Sequence, residues 1–152
     1  MEDVRIVVQE DPFNSADEIR QLRETSRKVG GIVTFVGVVR DLNDAADVST
    51  LYLEHYPGMT EQQIADIVEE AHQRYDIMAA TVIHRVGELQ PSEEIVFVGV
   101  ASAHRGDAFQ AAEFIIDFLK TRATFWKKEQ TSEGDRWLGT RQSDIEATGK
   151  YD

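Results

Sequence analysis

Two lysines, Lys120 and Lys127, have the residue type and the spacing to perform chemistry in this chain of 152 residues. A turn between them can bring both ammonium groups to one pocket wall, beside Phe125 and Trp126. Neighbouring positive charge and desolvation both disfavour a charged amine, so such a lysine can act as an acid, a base or a nucleophile. The alternative is that Lys120 stabilises a helix C-terminus and Lys127 is solvated.

His104 and Arg105 form a second candidate site, because they follow a predicted strand and precede a predicted helix. Free amides and partial positive charge at a helix N-terminus favour a bound anion. The alternative is that His104 ends a strand without a ligand and Arg105 is solvated. The pair by itself therefore indicates an anion site only weakly.

The charge distribution limits the partners of the chain. It has 16 Lys and Arg against 28 Asp and Glu, a net charge of -12, which argues against broad binding to nucleic acids or anionic membranes. The balance reverses between residues 104 and 128, so any anion site is local. Trp126 and Trp137 could stack on bases, but core packing is the commoner role of a strand aromatic.

Composition and spacing exclude several further kinds of site. The acidic beginning and its short apolar run match neither a signal peptide nor a membrane span, so we expect a cytoplasmic protein. With 0 Cys there is no disulfide, thiolate metal site or cysteine nucleophile. The four histidines form no pair at metal-ligand spacing, and the glycines match no nucleotide-binding motif. We therefore predict no metal and no cofactor.

The hydrophobic patterns predict one mixed α+β domain over residues 1–152. Ser15 and Thr60 begin capping boxes and Asp107 suits an N-cap, which places helices at residues 15–28, 60–75 and 107–122. Strands are predicted at residues 32–39, 51–56, 79–86, 94–101, 124–129 and 136–138. The β-branched run 32–39 is typical of a buried strand. Residues 41–50 are predicted to form a mobile loop, 87–92 a turn, and 142–152 a C-terminal tail.

Taken together, five segments resemble the large, catalytic subunit family of molybdopterin synthase, and the resemblance spans nearly the whole chain. They are residues 31–40 (GIVTFVGVVR), 53–61 (LEHYPGMTE), 83–89 (IHRVGEL), 102–105 (SAHR) and 119–129 (LKTRATFWKKE). Several long motifs in the same order are far more specific than any one of them. One departure is Thr124, where that family commonly has proline.

The resemblance implies an α/β hammerhead with an additional antiparallel β-sheet. It also implies an enzyme that converts cyclic pyranopterin monophosphate to molybdopterin by inserting two dithiolene sulfurs. In that family the sulfur arrives as a thiocarboxylate on the Gly-Gly C-terminus of a small ubiquitin-like carrier subunit, which fits the absence of cysteine here. Two large subunits form a homodimer within a heterotetramer, with one carrier at each end.

The resemblance also assigns site residues by position. Lys120 and Lys127 match the catalytic lysines, and Arg40, His104 and Arg105 match contacts to the substrate anion, for which guanidinium groups are suited. The flanking substrate-site positions are Val38, Val39, Lys128 and Glu129. Two other hypotheses stay open: a non-catalytic module that binds a ubiquitin-like partner, and a small nucleotide or RNA binder that uses the basic segment.

Overall fold

The computed structural model describes residues 3–40, 50–131, 134–139 and 142–151. They form two four-stranded sheets, four α-helices and a short 3-10 helix. The strands are β1 (Asp3–Gln9), β2 (Gly31–Val38), β3 (Thr50–His55), β4 (Ala79–Arg85), β5 (Gly87–Leu89), β6 (Glu94–Ser102), β7 (Phe125–Thr131) and β8 (Gly134–Leu138). The helices are α1 (Ser15–Arg23), α2 (Met59–Arg74), α3 (Arg105–Arg122) and α4 (Gln142–Thr148), followed by the 3-10 helix Gly149–Tyr151.

The first sheet has the strand order β1-β4-β6-β2, in which only the β1–β4 pair is parallel. Its central strands β4 and β6 are almost completely buried, as near-continuous apolar runs require. Alternate residues of these strands face opposite sides, so α2 and α3 cover one face and α1 covers the other. This arrangement lays α3 across β6 and β2, which fixes where the two ends of α3 lie.

Strand β2 lies at the edge of this sheet, and the prediction of a buried strand is wrong in that respect. Phe35 is 36% exposed and Val38 is 48% exposed. The β-branched composition identified a strand correctly, but composition does not distinguish a central strand from an edge strand whose outer side lacks a neighbour. Among the described residues of a single copy, this edge strand therefore has apolar side chains exposed on its surface.

All three predicted helix N-caps and one predicted helix end differ from the structure. The N-cap of α1 is Asn14, whose Oδ1 accepts from the N–H of Asp17, while Ser15 donates to Glu94. The same helix ends at Arg23 rather than near residue 28, because the Thr25 hydroxyl and N–H both bond the carbonyl of Leu22.

Helix α3 begins after His104, three residues before the predicted N-cap. Asp107 instead lies in the first turn, where its negative charge still complements the helix dipole. The N-cap of α2 is Gly58, whose N–H donates to Glu61, so the capping box predicted to begin at Thr60 is wrong by two residues. The predicted ends of α2 and α3 agree with the structure within one residue.

The second sheet has the order β5-β3-β7-β8 and is antiparallel throughout. Strand β5 lies within residues 87–92, which the sequence predicted only as a turn. A small apolar cluster joins this sheet to the first one and consists of Val39, Leu53, Val86 and Leu89. The predicted mixed α+β class with an additional antiparallel sheet is confirmed.

The predicted mobile loop falls largely outside the described residues, which omit 41–49, and Thr50 already belongs to β3. The predicted C-terminal tail contains α4 and docks on α3. There the Tyr151 hydroxyl donates to Asp117 at 2.7 Å, and the Tyr151 ring packs against Phe114 and Phe118. None of the described helices combines the length and the apolar character needed to cross a membrane.

Candidate active site

Lys120 and Lys127 line the same cavity, between the end of α3 and the beginning of β7. Only residues 123 and 124 separate these two elements, so a short turn sets the relative positions of the two amines. Phe35 and Phe125 contribute apolar wall, and Asp144 of α4 also lines the cavity. The structure thus brings together the two lysines that the sequence singled out.

A third member of this cavity, His84 of β4, was missed by the sequence analysis. Its ring stacks on Phe125 with the centroids 3.9 Å apart, and Nδ1 lies 2.8 Å from the carbonyl oxygen of Arg85. A carbonyl can only accept, so Nδ1 carries the proton and Nε2 is an acceptor. A His-Arg pair at the end of an apolar strand was the available signal, because polar side chains there need buried partners.

His84 is a neutral group in this cavity. Burial lowers the pKa of His84 to about 3, from an ordinary value of 6.5, and the hydrogen bond to Arg85 only partly opposes this effect. The positive charges of Lys120 and Lys127 lower it further, with a smaller effect from His55. His84 therefore adds an uncharged acceptor beside the positive charges of the two lysines.

The two residues that follow Lys127 have different surroundings. Strand alternation places Lys128 on the opposite face of β7, where its Nζ lies 5.0 Å from the ring centroid of Tyr52 and 5.4 Å from that of Trp137. Glu129 returns to the side of Lys127, is buried, and accepts from Arg136 at 2.8 Å. Lys128 is thus held by aromatic rings away from the cavity, and the Glu129 carboxylate is engaged with Arg136.

The segment that ends β2 shows the same alternation. Val39 is buried and is fixed at both backbone groups, since its N–H donates to the carbonyl of Glu93 and its carbonyl accepts from Ser92. Val38 and Arg40 are exposed on either side of it. Arg40 lies just after the C-terminal end of β2, where Val38 pairs with Glu94 at the start of β6. Helix α3 packs on β2 and β6 and runs towards this end of the sheet.

His104 and Arg105 lie at the other end of α3. Arg105 is the first residue of this helix and Lys120 the sixteenth, so a rise of 1.5 Å per residue separates their backbones by about 22 Å. The loop before the helix packs closely on Gly30, the residue before β2, because a Cβ at Gly30 would lie 2.0 Å from the carbonyl oxygen of Ala103. Within one copy of the chain, His104 and Arg105 therefore do not meet the predicted catalytic lysines.

The described residues contain no group of three or more His, Asp or Glu side chains placed to hold a metal ion. The chemistry available in the cavity is that of amines beside a neutral imidazole and apolar walls. Amines in such a setting can hold an anion, stabilise developing negative charge or transfer a proton.

Comparison with known proteins assigns the chain to a family. Residues 8–122 match the family described as MoaE protein. The chain belongs to the MoaE family. A molybdopterin synthase catalytic subunit from Pasteurella multocida is 55% identical over 151 residues, which cover 99% of this chain and 100% of that relative. The predicted family, and with it the prediction of an enzyme, is confirmed.

Solved structures agree with this MoaE assignment. Molybdopterin cofactor biosynthesis protein E from Burkholderia multivorans has a TM-score of 0.85 and 43% identity, covering 99% of this chain and 97% of that one. A complex of subunits 1 and 2 of the molybdopterin-converting factor from Helicobacter pylori shares the fold. Its TM-score is 0.72 at 16% identity, with 91% of each chain covered. The individual roles of the MoaE site residues remain predictions.

Proposed function

We propose that this MoaE protein inserts two sulfur atoms into cyclic pyranopterin monophosphate to form the dithiolene of molybdopterin. The observation that carries the proposal is the cavity shared by Lys120 and Lys127 in a chain of this family. The name of the Pasteurella relative, molybdopterin synthase catalytic subunit, supports the same reaction. We also propose that the reaction takes place in the cytoplasm.

The sulfur donor in this proposal is a small ubiquitin-like carrier that ends in a Gly-Gly thiocarboxylate. The chain has no cysteine, so the sulfur has to come from another molecule. The two-subunit complex from Helicobacter pylori supports a small partner subunit. An extended Gly-Gly end suits a narrow cavity, because glycine has no side chain to clash with the walls.

The two lysines have separate roles in this mechanism. In each transfer a thiocarboxylate sulfur attacks a side-chain carbon of the pterin, a carbon–sulfur bond forms, and a carbon–oxygen bond breaks, its oxygen leaving with protons as water or staying on the phosphate. Water then hydrolyses the resulting thioester, so the sulfur stays on the pterin and the carrier leaves with an ordinary carboxylate. Lys120 stabilises the thiocarboxylate and the negative charge that develops during attack. Lys127 transfers a proton or assists opening of the cyclic phosphate. His84 has neither role in this mechanism, because a group whose pKa is about 3 is a poor base at neutral pH.

A single-turnover assay tests these roles. The chain is mixed with cyclic pyranopterin monophosphate and thiocarboxylated carrier, and dithiolene product is measured by mass. We expect Lys120→Ala and Lys127→Ala to lose product formation, while Lys28→Ala, on an exposed residue outside the cavity, keeps it. Wild-type rates in both cavity variants would refute the mechanism.

The competing hypothesis, a non-catalytic binding module, makes a different prediction for a charge-preserving change. Docking by positive charge survives Lys120→Arg and Lys127→Arg, whereas chemistry tuned to an ammonium does not. Carrier binding measured by calorimetry, alongside product formation, separates the two. Retained binding without any product from the wild-type chain would favour the binding module.

We further propose that the complete site contains residues of two copies of the chain. The supporting observation is the separation of about 22 Å between Arg105 and Lys120, set by α3 at 1.5 Å per residue. A homodimer can place Arg105 of one copy near Lys120 of the other. Exposed apolar side chains at the β2 edge, Phe35 and Val38 next to Arg40, supply a surface for this pairing.

Mixed dimers test the shared site. Arg105→Ala and Lys120→Ala chains are inactive alone, but a dimer containing one of each has one intact site if the site crosses the interface. Random mixing in equal amounts then restores about one quarter of the wild-type activity, from half of the sites in half of the dimers. A mixture as inactive as its parents, with subunit exchange verified by mass, would show that each site belongs to one copy.

A further inference from the structure

The turn between the two lysines is held by two side chains of the neighbouring helix α2. Both backbone polar groups of Thr124 bond to that helix: its N–H donates to Oε1 of Gln63 at 2.7 Å, and its carbonyl accepts from the Thr60 hydroxyl at 2.9 Å. Thr60 and Gln63 are three residues apart, so they lie on the same helix face. The turn is thus held on both sides of one residue.

Thr60 also ties this turn to the second sheet. Its Oγ accepts from the N–H of Tyr56, just after β3, and the side chain is completely buried. Strand β3 pairs with β7, with Leu53 opposite Lys127. One hydroxyl therefore connects the end of β3, the start of α2 and the turn that leads into β7.

The location of these bonds gives them a consequence for the cavity. Lys120 lies on α3 before the turn and Lys127 on β7 after it, and residues 123 and 124 alone separate the two elements. A displacement of Thr124 moves β7 relative to α3 and changes the separation of the two amines. Misplacement of a reacting group by about 1 Å can reduce a rate on the order of 100-fold.

We propose that Thr60 and Gln63 are positioning residues that fix the lysine pair by holding both sides of Thr124. Neither side chain lines the cavity, and each acts through the turn. A proline at position 124 would have no N–H to donate to Oε1 of Gln63, but its restricted φ would stiffen the turn instead. Ala123 has φ -84° and ψ 132°, the conformation that a residue before proline prefers.

These geometries define a rescue experiment. Gln63→Ala removes the hydrogen bond from the Thr124 N–H. The Gln63→Ala/Thr124→Pro double variant also removes that unpaired N–H and restricts the backbone of the turn. Gln62→Ala is the matched control. Gln62 is exposed and bonds Asp66 on the same helix. For the hydroxyl, Thr60→Val removes both bonds while Thr60→Ser keeps them.

Two measurements are made on every variant. The first is the sulfur-insertion turnover, split into kcat and the KM for carrier, and this measurement rests on the proposed function. The second is independent of activity: the rate of acetylation of Lys120 and Lys127 by a small anhydride, relative to exposed Lys28, read by mass spectrometry. If the sulfur-insertion proposal fails, the second measurement still tests the positioning of the amines.

We expect Gln63→Ala to lower kcat by about tenfold or more with little change in KM, and to shift the relative acetylation of the pair by at least about twofold. The double variant and Thr60→Ser should return towards wild type, and Gln62→Ala should match it. Unchanged acetylation in both Gln63→Ala and Thr60→Val would overturn the proposal. Failure of Thr124→Pro to restore either measurement would overturn it as well, because the turn would not be the route of the effect.

Discussion

The buried neutral imidazole of His84 should make the stability of the protein depend on pH. The folded protein does not protonate His84 until the pH approaches its pKa of about 3, whereas an unfolded histidine takes up a proton near 6.5. The unfolded state therefore binds more protons below pH 6.5, so the free energy of unfolding falls as the pH falls towards 3. At pH 5, about 1.5 units below the unfolded pKa, His84 lowers the free energy of unfolding by about 2 kcal/mol.

A comparison of variants isolates this contribution from other titrating groups. His84→Phe keeps a ring to stack on Phe125 and removes the titration, so the drop in unfolding free energy between pH 7 and pH 5 should shrink by about 2 kcal/mol. Urea unfolding at fixed protein concentration measures the drop, and His104→Gln, on an exposed histidine, is the control. Equal drops in the wild type and His84→Phe would show that His84 is not held neutral by the fold.

Three further changes test the packing. Ile67→Ala should cost about 2–5 kcal/mol in urea unfolding because Ile67 is fully buried, whereas Ile145→Ala, at a residue 47% exposed, should change little. Gly99→Ala should lower the unfolding free energy by about 1–3 kcal/mol, since its Cβ would lie 2.5 Å from a buried leucine, while Gly106→Ala meets no atom within 4 Å. Tyr151→Phe should cost about 1 kcal/mol by losing one hydrogen bond, and hydrogen exchange should show faster opening of residues 142–151.

Local patterns predicted most of the elements because each element carries its own signal. The apolar spacing in α2 and α3 corresponds to buried faces, and the β-rich runs of β4 and β6 became the two central strands. The end of α1 was not predicted correctly, since the hydroxyl and the N–H of Thr25 both bond the carbonyl of Leu22 and end the helix before residue 28. Strand β5 has three residues and exists through its pairing with β3, which no local pattern reports.

The site was predictable to the extent that its residues are near one another in sequence. Lys120 and Lys127 were expected to share a pocket because one turn joins them, and they do line one cavity. His84 could not be placed there, since it comes from a distant strand and reaches the cavity only through the order of the first sheet. Lys128 shows the limit of sequence adjacency, because its position next to Lys127 in a strand places its side chain on the other face, and its predicted role stays a prediction.

Helix α3 has its cationic residues near both ends, and each end suits a different task. The N-terminus, with His104 and Arg105, offers partial positive charge for a phosphate, whereas the C-terminus stabilises the ammonium group of Lys120. A single rigid helix keeps these two tasks apart, so one small substrate cannot use both ends of the same helix. A two-fold dimer removes the conflict, because a contact from Arg105 of one copy to the Lys120 cavity of the other is necessarily repeated in reverse. The proposed pairing therefore yields two equivalent sites, each with an anion-binding end and an amine end, from a chain whose net charge is -12.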